Sequence, residues 1–271
     1  MNQNQIARFL LCLIGVILDP CAARTSQAAE AVVTTTLIET AMRDLLGNDI
    51  TIIRLMPPGS CPGHFDLQPA DAQSLASAIL FVRHDFQAGL DAGVVKSGLE
   101  SNRIVTVSSR SAFTIPGEYA AMCEELADRL AATWPERAAR IAARLFDVRQ
   151  RARFAEASIT ERAKRLRGRK VLCAYYQRDF CRWIGLSVVA VFHAGTDESA
   201  WQLSRAVDMA MSAQAEAVIG NRQWGPRHLD ALAEATGLPG IMLSNFPESG
   251  DAGAYWRLLD ANVNALLEGL R

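Results

Sequence analysis

The sequence lacks a charge excess of either sign, and it lacks the short motifs of several enzyme classes. Its 271 residues carry 28 basic and 29 acidic side chains, for a formal net charge of −1. This balance gives no reason to expect nucleic acid or an anionic membrane as a partner. A glycine-rich phosphate loop, a G-x-S-x-G elbow and an H-E-x-x-H motif are all absent. We therefore expect a protein that is not an enzyme.

Long apolar segments are also scarce. The run at residues 9–18 has ten residues, whereas a membrane-spanning helix needs about 20. Arg8 precedes this run, and small and polar residues follow it to Ala31, which is the order of a secretory signal peptide. We predict cleavage near Ala28 or Ala31, a mature chain of the periplasm, and no membrane span. A membrane anchor, a buried helix and lipidation at Cys21 are the alternatives.

Cysteines are few, and their use stays open. Removal of residues 1–31 would leave four of the six, namely Cys61, Cys123, Cys173 and Cys181. In an oxidising compartment an even number favours two disulfides. The same thiols would also serve as ligands for a soft metal ion.

The mature sequence alternates between strand and helix patterns. Short apolar or β-branched runs predict strands at 32–36, 50–56, 79–82, 103–108, 170–174, 187–192, 217–220 and 240–244. Helical patterns between them indicate parallel sheets with right-handed crossovers. Residues 138–166 predict one helix of about 40 Å. We predict an α/β protein of two Rossmann-like lobes with mostly parallel sheets, at 32–136 and 169–271, joined by a long spine helix at 137–168.

Ligands of open α/β sheets bind beyond the carboxyl ends of the strands. Cys61 and His64 follow the second predicted strand, and His84 follows the third. A thiolate and an imidazole three residues apart, on a loop stiffened by proline, can share one Zn²⁺ or Cu⁺ ion. The alternative for this C-x-x-H pattern is a disulfide-bonded cysteine beside a surface histidine. In the second lobe the candidate cleft-lining residues are Cys173, Tyr176, Gln177, Asn221, Gln223 and Asn245.

The order of these segments resembles the zinc/manganese-type (cluster A-I) solute-binding proteins of ABC importers. The resemblance is carried by the strand and threonines at 32–36, the loop at 58–64 that ends in His64, and a helix opened by Pro69 and Asp71. A spine helix and the step Ile184-Gly185-Leu186 follow in the order that the family has. The resemblance implies a monomer that captures a transition-metal ion and delivers it to an ABC permease. It implies zinc first, with copper, manganese or iron as alternatives.

The sequence departs from that family at most of its metal ligands. His64 matches the first metal histidine, but the segments 115–119 and 173–177 contain no histidine, and Ser244-Asn245 stands where the family has a carboxylate. Two hypotheses follow. A metal site is rebuilt from Cys61, His64 and His84, or the cleft binds a metal chelate or small organic molecule through its amides and tyrosines. A binding or scaffold protein with an inert cleft is the third alternative.

Overall fold

The computed structural model describes residues 29–109, 112–193 and 200–271. The predicted signal peptide lies outside this part of the chain except for residues 29–31, so its prediction is not tested here. Within the described residues, no helix has the length and hydropathy needed to cross a membrane.

The N-terminal half forms a four-stranded sheet in the order β2-β1-β3-β4, with every pair of neighbours parallel. Its strands are β1 (Ala31–Val33), β2 (Ile52–Arg54), β3 (Leu80–His84) and β4 (Ile104–Val107). Its helices are α1 (Thr36–Leu46), α2 (Asp71–Ser77), α3 (Asp91–Lys96) and α4 (Pro116–Thr133). The chain begins α1 at a threonine cap, because the Ile38 amide donates to Thr35 Oγ1 at 3.4 Å.

The C-terminal half repeats this arrangement in a second parallel sheet, in the order β6-β5-β7-β8. Its strands are β5 (Lys170–Ala174), β6 (Ser187–Phe192), β7 (Ala217–Asn221) and β8 (Gly240–Leu243). The helices from the middle of the chain onward are α5 (Ala138–Arg162), α6 (Arg178–Trp183), α7 (Ala200–Ser212), α8 (Arg227–Thr236) and α9 (Ala254–Gly269). A 3-10 turn continues α5 to Leu166. These two sheets and the long helix confirm the predicted fold class.

One hydrophobic core runs through both halves of the molecule. It takes buried side chains from α1, α4 and α5 together with others from β5, α6 and α9. Between α4 and α9, the Tyr119 and Tyr255 rings stack with their centroids 3.6 Å apart. The Asp44 carboxylate accepts hydrogen bonds from the Tyr119 hydroxyl and the Gly253 amide, each at 2.8 Å. The two lobes therefore share a packed and hydrogen-bonded junction behind the sheets.

Asp44 makes the stability of this junction depend on pH. Burial raises the pKa of its carboxyl, against the opposing effects of the hydrogen bonds from Tyr119 and Gly253 and of the charge on Arg151. Because the folded-state pKa exceeds the unfolded one, this group contributes most to stability below the unfolded pKa of about 4. That contribution is lost as the pH rises through the folded-state pKa.

An Asp44→Asn variant cannot ionise at this position. We expect its melting temperature, relative to the wild type, to be higher at pH 7 than at pH 4. Thermal unfolding of both proteins at the two pH values measures this difference. If the melting temperature of the variant minus that of the wild type is equal at both pH values, or higher at pH 4, the assignment of the raised pKa to Asp44 is wrong.

The four cysteines among the described residues are free thiols, with Cys61 partly exposed and the other three buried. The described part of the chain therefore contains neither of the two disulfides that the even number of cysteines favoured. Cys173 lies on the same face of β5 as Val171, inside the shared core. Cys173 was predicted to line the cleft at the carboxyl end of its strand. Its side chain instead packs in the core, so it does not face the cleft.

Candidate functional site

The first part of the candidate site is the loop after β2. Cys61 precedes a 3-10 turn at Pro62–His64. The buried Gln87 fixes this loop, because its Nε2 donates to the Pro62 carbonyl at 3.2 Å. Gln87 Oε1 accepts from Thr34 Oγ1 at 2.7 Å and from the His84 amide at 3.1 Å. The loop that carries Cys61 and His64 is thereby held against the end of β3, where His84 lies.

His84 was predicted as a metal ligand at a strand end; it is the last residue of β3, and its side chain is fully buried. Its Nε2 lies 3.0 Å from Thr35 Oγ1. Its Nδ1 has no hydrogen-bond partner among the described residues. Burial lowers the pKa of His84 to about 3, so the ring is neutral at physiological pH, which is the form that binds a metal ion. If Nε2 carries the proton and donates to Thr35, the lone pair of Nδ1 is available.

The rings around His84 come from both lobes. Phe86 stacks on it with ring centroids 5.1 Å apart, and Phe113 lies at 4.9 Å. Phe246, in the segment after β8 of the second lobe, approaches edge-on at 5.9 Å. His84 therefore lies where the lobes meet, in an environment of low polarity that strengthens electrostatic interactions.

The second part of the site is a cluster of carboxamides at the carboxyl ends of β5, β7 and β8. Gln177 Nε2 donates to Asn221 Oδ1 at 3.1 Å and to Asn245 Oδ1 at 2.9 Å. The backbone N–H of Asn245 donates to Gln223 Oε1 at 3.1 Å, and Gln223 Nε2 donates to Ser244 Oγ at 3.0 Å. Four of the predicted cleft-lining residues are thus in one hydrogen-bonded group. We refer to Gln177, Asn221, Gln223 and Asn245 as the carboxamide cluster.

Gln177 is the least satisfied member of the carboxamide cluster. It is fully buried, and its Oε1 has no hydrogen-bond partner among the described residues. A buried carbonyl oxygen without a partner costs stability, so such a group is a candidate contact for a ligand. Asn245 belongs to this cluster and its neighbour Phe246 contacts His84, so one segment touches both parts of the site.

Tyr176 belongs to a separate aromatic surface of the second lobe. Its side chain is 56% exposed. It packs against Trp224 at 5.3 Å and against Tyr175 at 5.4 Å between ring centroids. His193 stacks on Tyr175 at 4.5 Å. Tyr176 therefore lies at the surface, outside the hydrogen-bonded carboxamide cluster.

The described side chains do not assemble a complete metal site. Among them, no three histidine, cysteine, aspartate or glutamate residues come together as a ligand set. The side chain of His64 lies outside the described part of the structure, so the predicted trio with Cys61 and His84 is not tested. What the described residues offer is one neutral imidazole, one partly exposed thiol and a cluster of amide oxygens.

Sequence reasoning missed three residues of this site, namely Gln87, Phe113 and Phe246. No local motif marks them, because their roles arise from contacts between distant segments. Phe113 and Phe246 meet at 6.4 Å although they lie in different lobes. The single available signal was position, since Phe246 directly follows the strand-end residue Asn245.

Comparisons with known proteins agree with this architecture. The family model "ZnuA: Zinc-uptake complex component A periplasmic" matches residues 31–269. No curated protein sequence matches significantly.

Several solved structures share the fold. A zinc-bound deletion mutant of ZnuA is 16% identical with a TM-score of 0.75, covering 89% of this chain and 98% of its own. The periplasmic zinc-binding protein TroA of Treponema pallidum is 17% identical with a TM-score of 0.74, covering 89% and 99%. The laminin-binding protein Lmb of Streptococcus agalactiae, an adhesin with metal-transporting activity, is 16% identical with a TM-score of 0.73, covering 90% and 100%.

Proposed function

Because this chain belongs to the ZnuA family of periplasmic zinc-uptake components, we propose that it captures a transition-metal ion, zinc first, between its lobes. It then delivers the ion to an ABC permease. We place the protein in the periplasm, as a carrier without enzymatic activity and as a monomer. The lobes are proposed at 32–136 and 169–271, with the spine helix at 137–168.

The observation that carries the proposal is the neutral, buried His84 beside the Cys61–His64 loop. Because the pKa of the buried His84 imidazole is low, protons do not compete with a metal ion for its ring nitrogen at neutral pH. We propose Cys61, His64 and His84 as ligands. This set of one thiolate and two imidazoles suits a tetrahedral Zn²⁺ site with one further position for another ligand. Gln177 is the candidate neighbour on the other lobe.

The proposed mechanism is passive capture. The ion enters between the strand-end loops of the two lobes, and release follows when a permease separates them. The core shared by α1, α4, α5 and α9 supports a small opening motion, because separating the lobes fully would expose that core to water.

Ligand chemistry gives this proposal a test of selectivity. We expect the metal-free protein to bind Zn²⁺ and Cu⁺ more tightly than Mn²⁺, because thiolate and imidazole ligands favour softer ions. A Cys61→Ser variant should bind Zn²⁺ and Cu⁺ more weakly and keep only the part of this preference that the imidazoles supply. Competition titration against a chromophoric chelator measures each affinity.

The matched control is Cys123→Ala, which removes a buried thiol beside Tyr119 in the core. This variant should bind zinc as the wild type does. Equal zinc affinity in the wild type and in Cys61→Ser would remove Cys61 from the ligand set. Absence of binding for every metal would overturn the proposal as a whole.

A second candidate function rests on the carboxamide cluster. The unpartnered Gln177 Oε1 favours a ligand that donates hydrogen bonds, such as a metal chelate or a small organic molecule. If metal ions leave the melting temperature unchanged, a panel of such compounds should raise it, since a ligand of the folded state stabilises that state. Gln177→Leu should abolish that stabilisation, whereas Tyr176→Phe at the exposed aromatic surface should keep it.

A further inference from the structure

Cys173 and Cys181 have no part in the proposed metal site, yet they lie together in the core. Cys173 is in β5 and Cys181 in α6. Both are fully buried and belong to the same apolar cluster. Cys173 is the first cause of the raised pKa of the Cys181 thiol, so the two side chains lie close to each other. The two thiols are therefore neighbours, whereas Cys61 lies on the partly exposed loop and Cys123 lies beside Tyr119.

We propose that Cys173 and Cys181 form a disulfide when the chain folds in an oxidising compartment. The proposal assumes the export proposed above for its setting in the cell, but its chemistry does not depend on metal binding. A disulfide needs sulfur atoms about 2.0 Å apart and α-carbons within about 7 Å. Two neighbouring thiols, on a strand and the helix that follows it, need only a small movement to meet this requirement.

The oxidant is a protein disulfide of an extracytoplasmic thiol oxidoreductase. One thiolate of the pair attacks that disulfide, forms a mixed disulfide and releases the first thiolate of the oxidant. The second cysteine thiolate then attacks the mixed disulfide at the cysteine sulfur of this chain and releases the second thiolate of the oxidant. The bond between Cys173 Sγ and Cys181 Sγ forms, and the disulfide of the oxidant breaks to give two thiols. The two cysteines thus lose two electrons and two protons, which the oxidant gains.

The timing of this reaction follows from burial. The neighbouring Cys173 thiol and burial raise the pKa of the Cys181 thiol, so the thiolate needed for exchange is scarce once the core has formed. We expect oxidation in the unfolded or folding chain and slow oxidation in the folded one. Seven residues separate the two cysteines, so the bond closes a short loop that folding brings together early.

Refolding with a count of thiols tests the proposal on the mature chain, which has four cysteines. The protein is reduced, unfolded, and refolded with a metal chelator in a mixture of oxidised and reduced glutathione, then alkylated and weighed by mass spectrometry. Trypsin cleaves after Lys170, Arg178 and Arg182, so Cys173 and Cys181 fall on separate peptides. We expect these two peptides to be disulfide-linked, with Cys61 and Cys123 alkylated.

Two further measurements check the same proposal. Oxidised wild type should melt roughly 5 to 10 °C above reduced wild type, and this difference should vanish in Cys181→Ala while it persists in Cys123→Ala. Glutathione disulfide added to the folded, reduced protein should react far more slowly than during refolding. Four alkylated cysteines after oxidative refolding, or a disulfide that involves Cys61 or Cys123, would overturn the proposal, whatever the protein's response to zinc.

Discussion

Replacing Tyr119 with alanine is expected to lower the free energy of unfolding by about 4 kcal/mol. The ring is fully buried. It stacks on Tyr255 at 3.6 Å and meets the edge of Trp256 at 5.6 Å between centroids. Its hydroxyl donates to Asp44 at 2.8 Å. The variant therefore loses buried aromatic area, leaves a cavity, and removes a donor from a partly buried carboxylate.

For a domain of this size each kcal/mol shifts the melting temperature by about 2–4 °C. We therefore expect a decrease of roughly 8–16 °C in thermal unfolding. Tyr119→Phe keeps the ring and loses only the hydroxyl, so it should cost about 1–2 kcal/mol. Tyr176→Ala, at a position 56% exposed, is the control with little effect. A decrease for Tyr119→Ala no larger than that for Tyr176→Ala would show that this junction does not hold the lobes together.

The second large effect is expected at His84. Replacing it with alanine should weaken zinc binding by more than the roughly 10- to 100-fold that loss of an outer-shell partner causes. The reason is that the variant removes a neutral, desolvated imidazole from the proposed ligand set. Competition against a chelator measures the affinity, and circular dichroism confirms that the variant is folded. Zinc binding at the wild-type level would make His84 a structural histidine and remove it from the site.

Variants of Thr35 should show a smaller effect on zinc affinity than His84→Ala. The Thr35 Oγ1 lies 3.0 Å from His84 Nε2 and thereby orients the ring. Thr35→Val should reduce zinc affinity roughly 10- to 100-fold, whereas Thr35→Ser retains the hydroxyl and should bind as the wild type does. Since this hydroxyl also caps α1, Thr35→Val should cost about 1 kcal/mol of stability as well. His228→Ala, a histidine of α8 outside the proposed ligand set, should leave zinc binding unchanged.

The sequence predicted the strands and the long helix well because their signals are local. The runs at 170–174 and 187–192 coincide with β5 and β6, where β-branched and apolar residues are bounded by glycine and polar residues. The helix predicted to Leu166 ends as an α-helix at Arg162 and continues as a 3-10 turn, a difference that periodicity alone cannot resolve.

Residues 85–96 were not predicted as helical, although they form a 3-10 segment followed by α3. Gly89 and Gly93 weaken any helical signal there. The structure explains one of these glycines, since a Cβ on Gly93 would lie 2.8 Å from Leu67 Cδ1. Close packing by a distant loop decides this conformation, and no window of the sequence contains that information.

The candidate site was predictable only in part. The rule that ligands bind at strand ends found the carboxamide cluster, because the ends of neighbouring parallel strands must converge. It did not distinguish Gln177, at the end of the strand, from Cys173, whose side chain faces the core. Nor did it find that Phe246 reaches His84, because contacts between lobes depend on how the two halves pack together.

The central claim is that the cleft binds a transition-metal ion, and the metal content of the native protein tests it most directly. The full chain is purified from the periplasm without added metal or chelator, and its metals are counted by inductively coupled plasma mass spectrometry beside a free-thiol count. We predict one equivalent of zinc per chain, lost in His64→Ala and His84→Ala, with Cys61 protected from alkylation until the metal is removed. A protein that contains no metal, binds none when it is offered, and carries a freely reactive Cys61 would contradict the account.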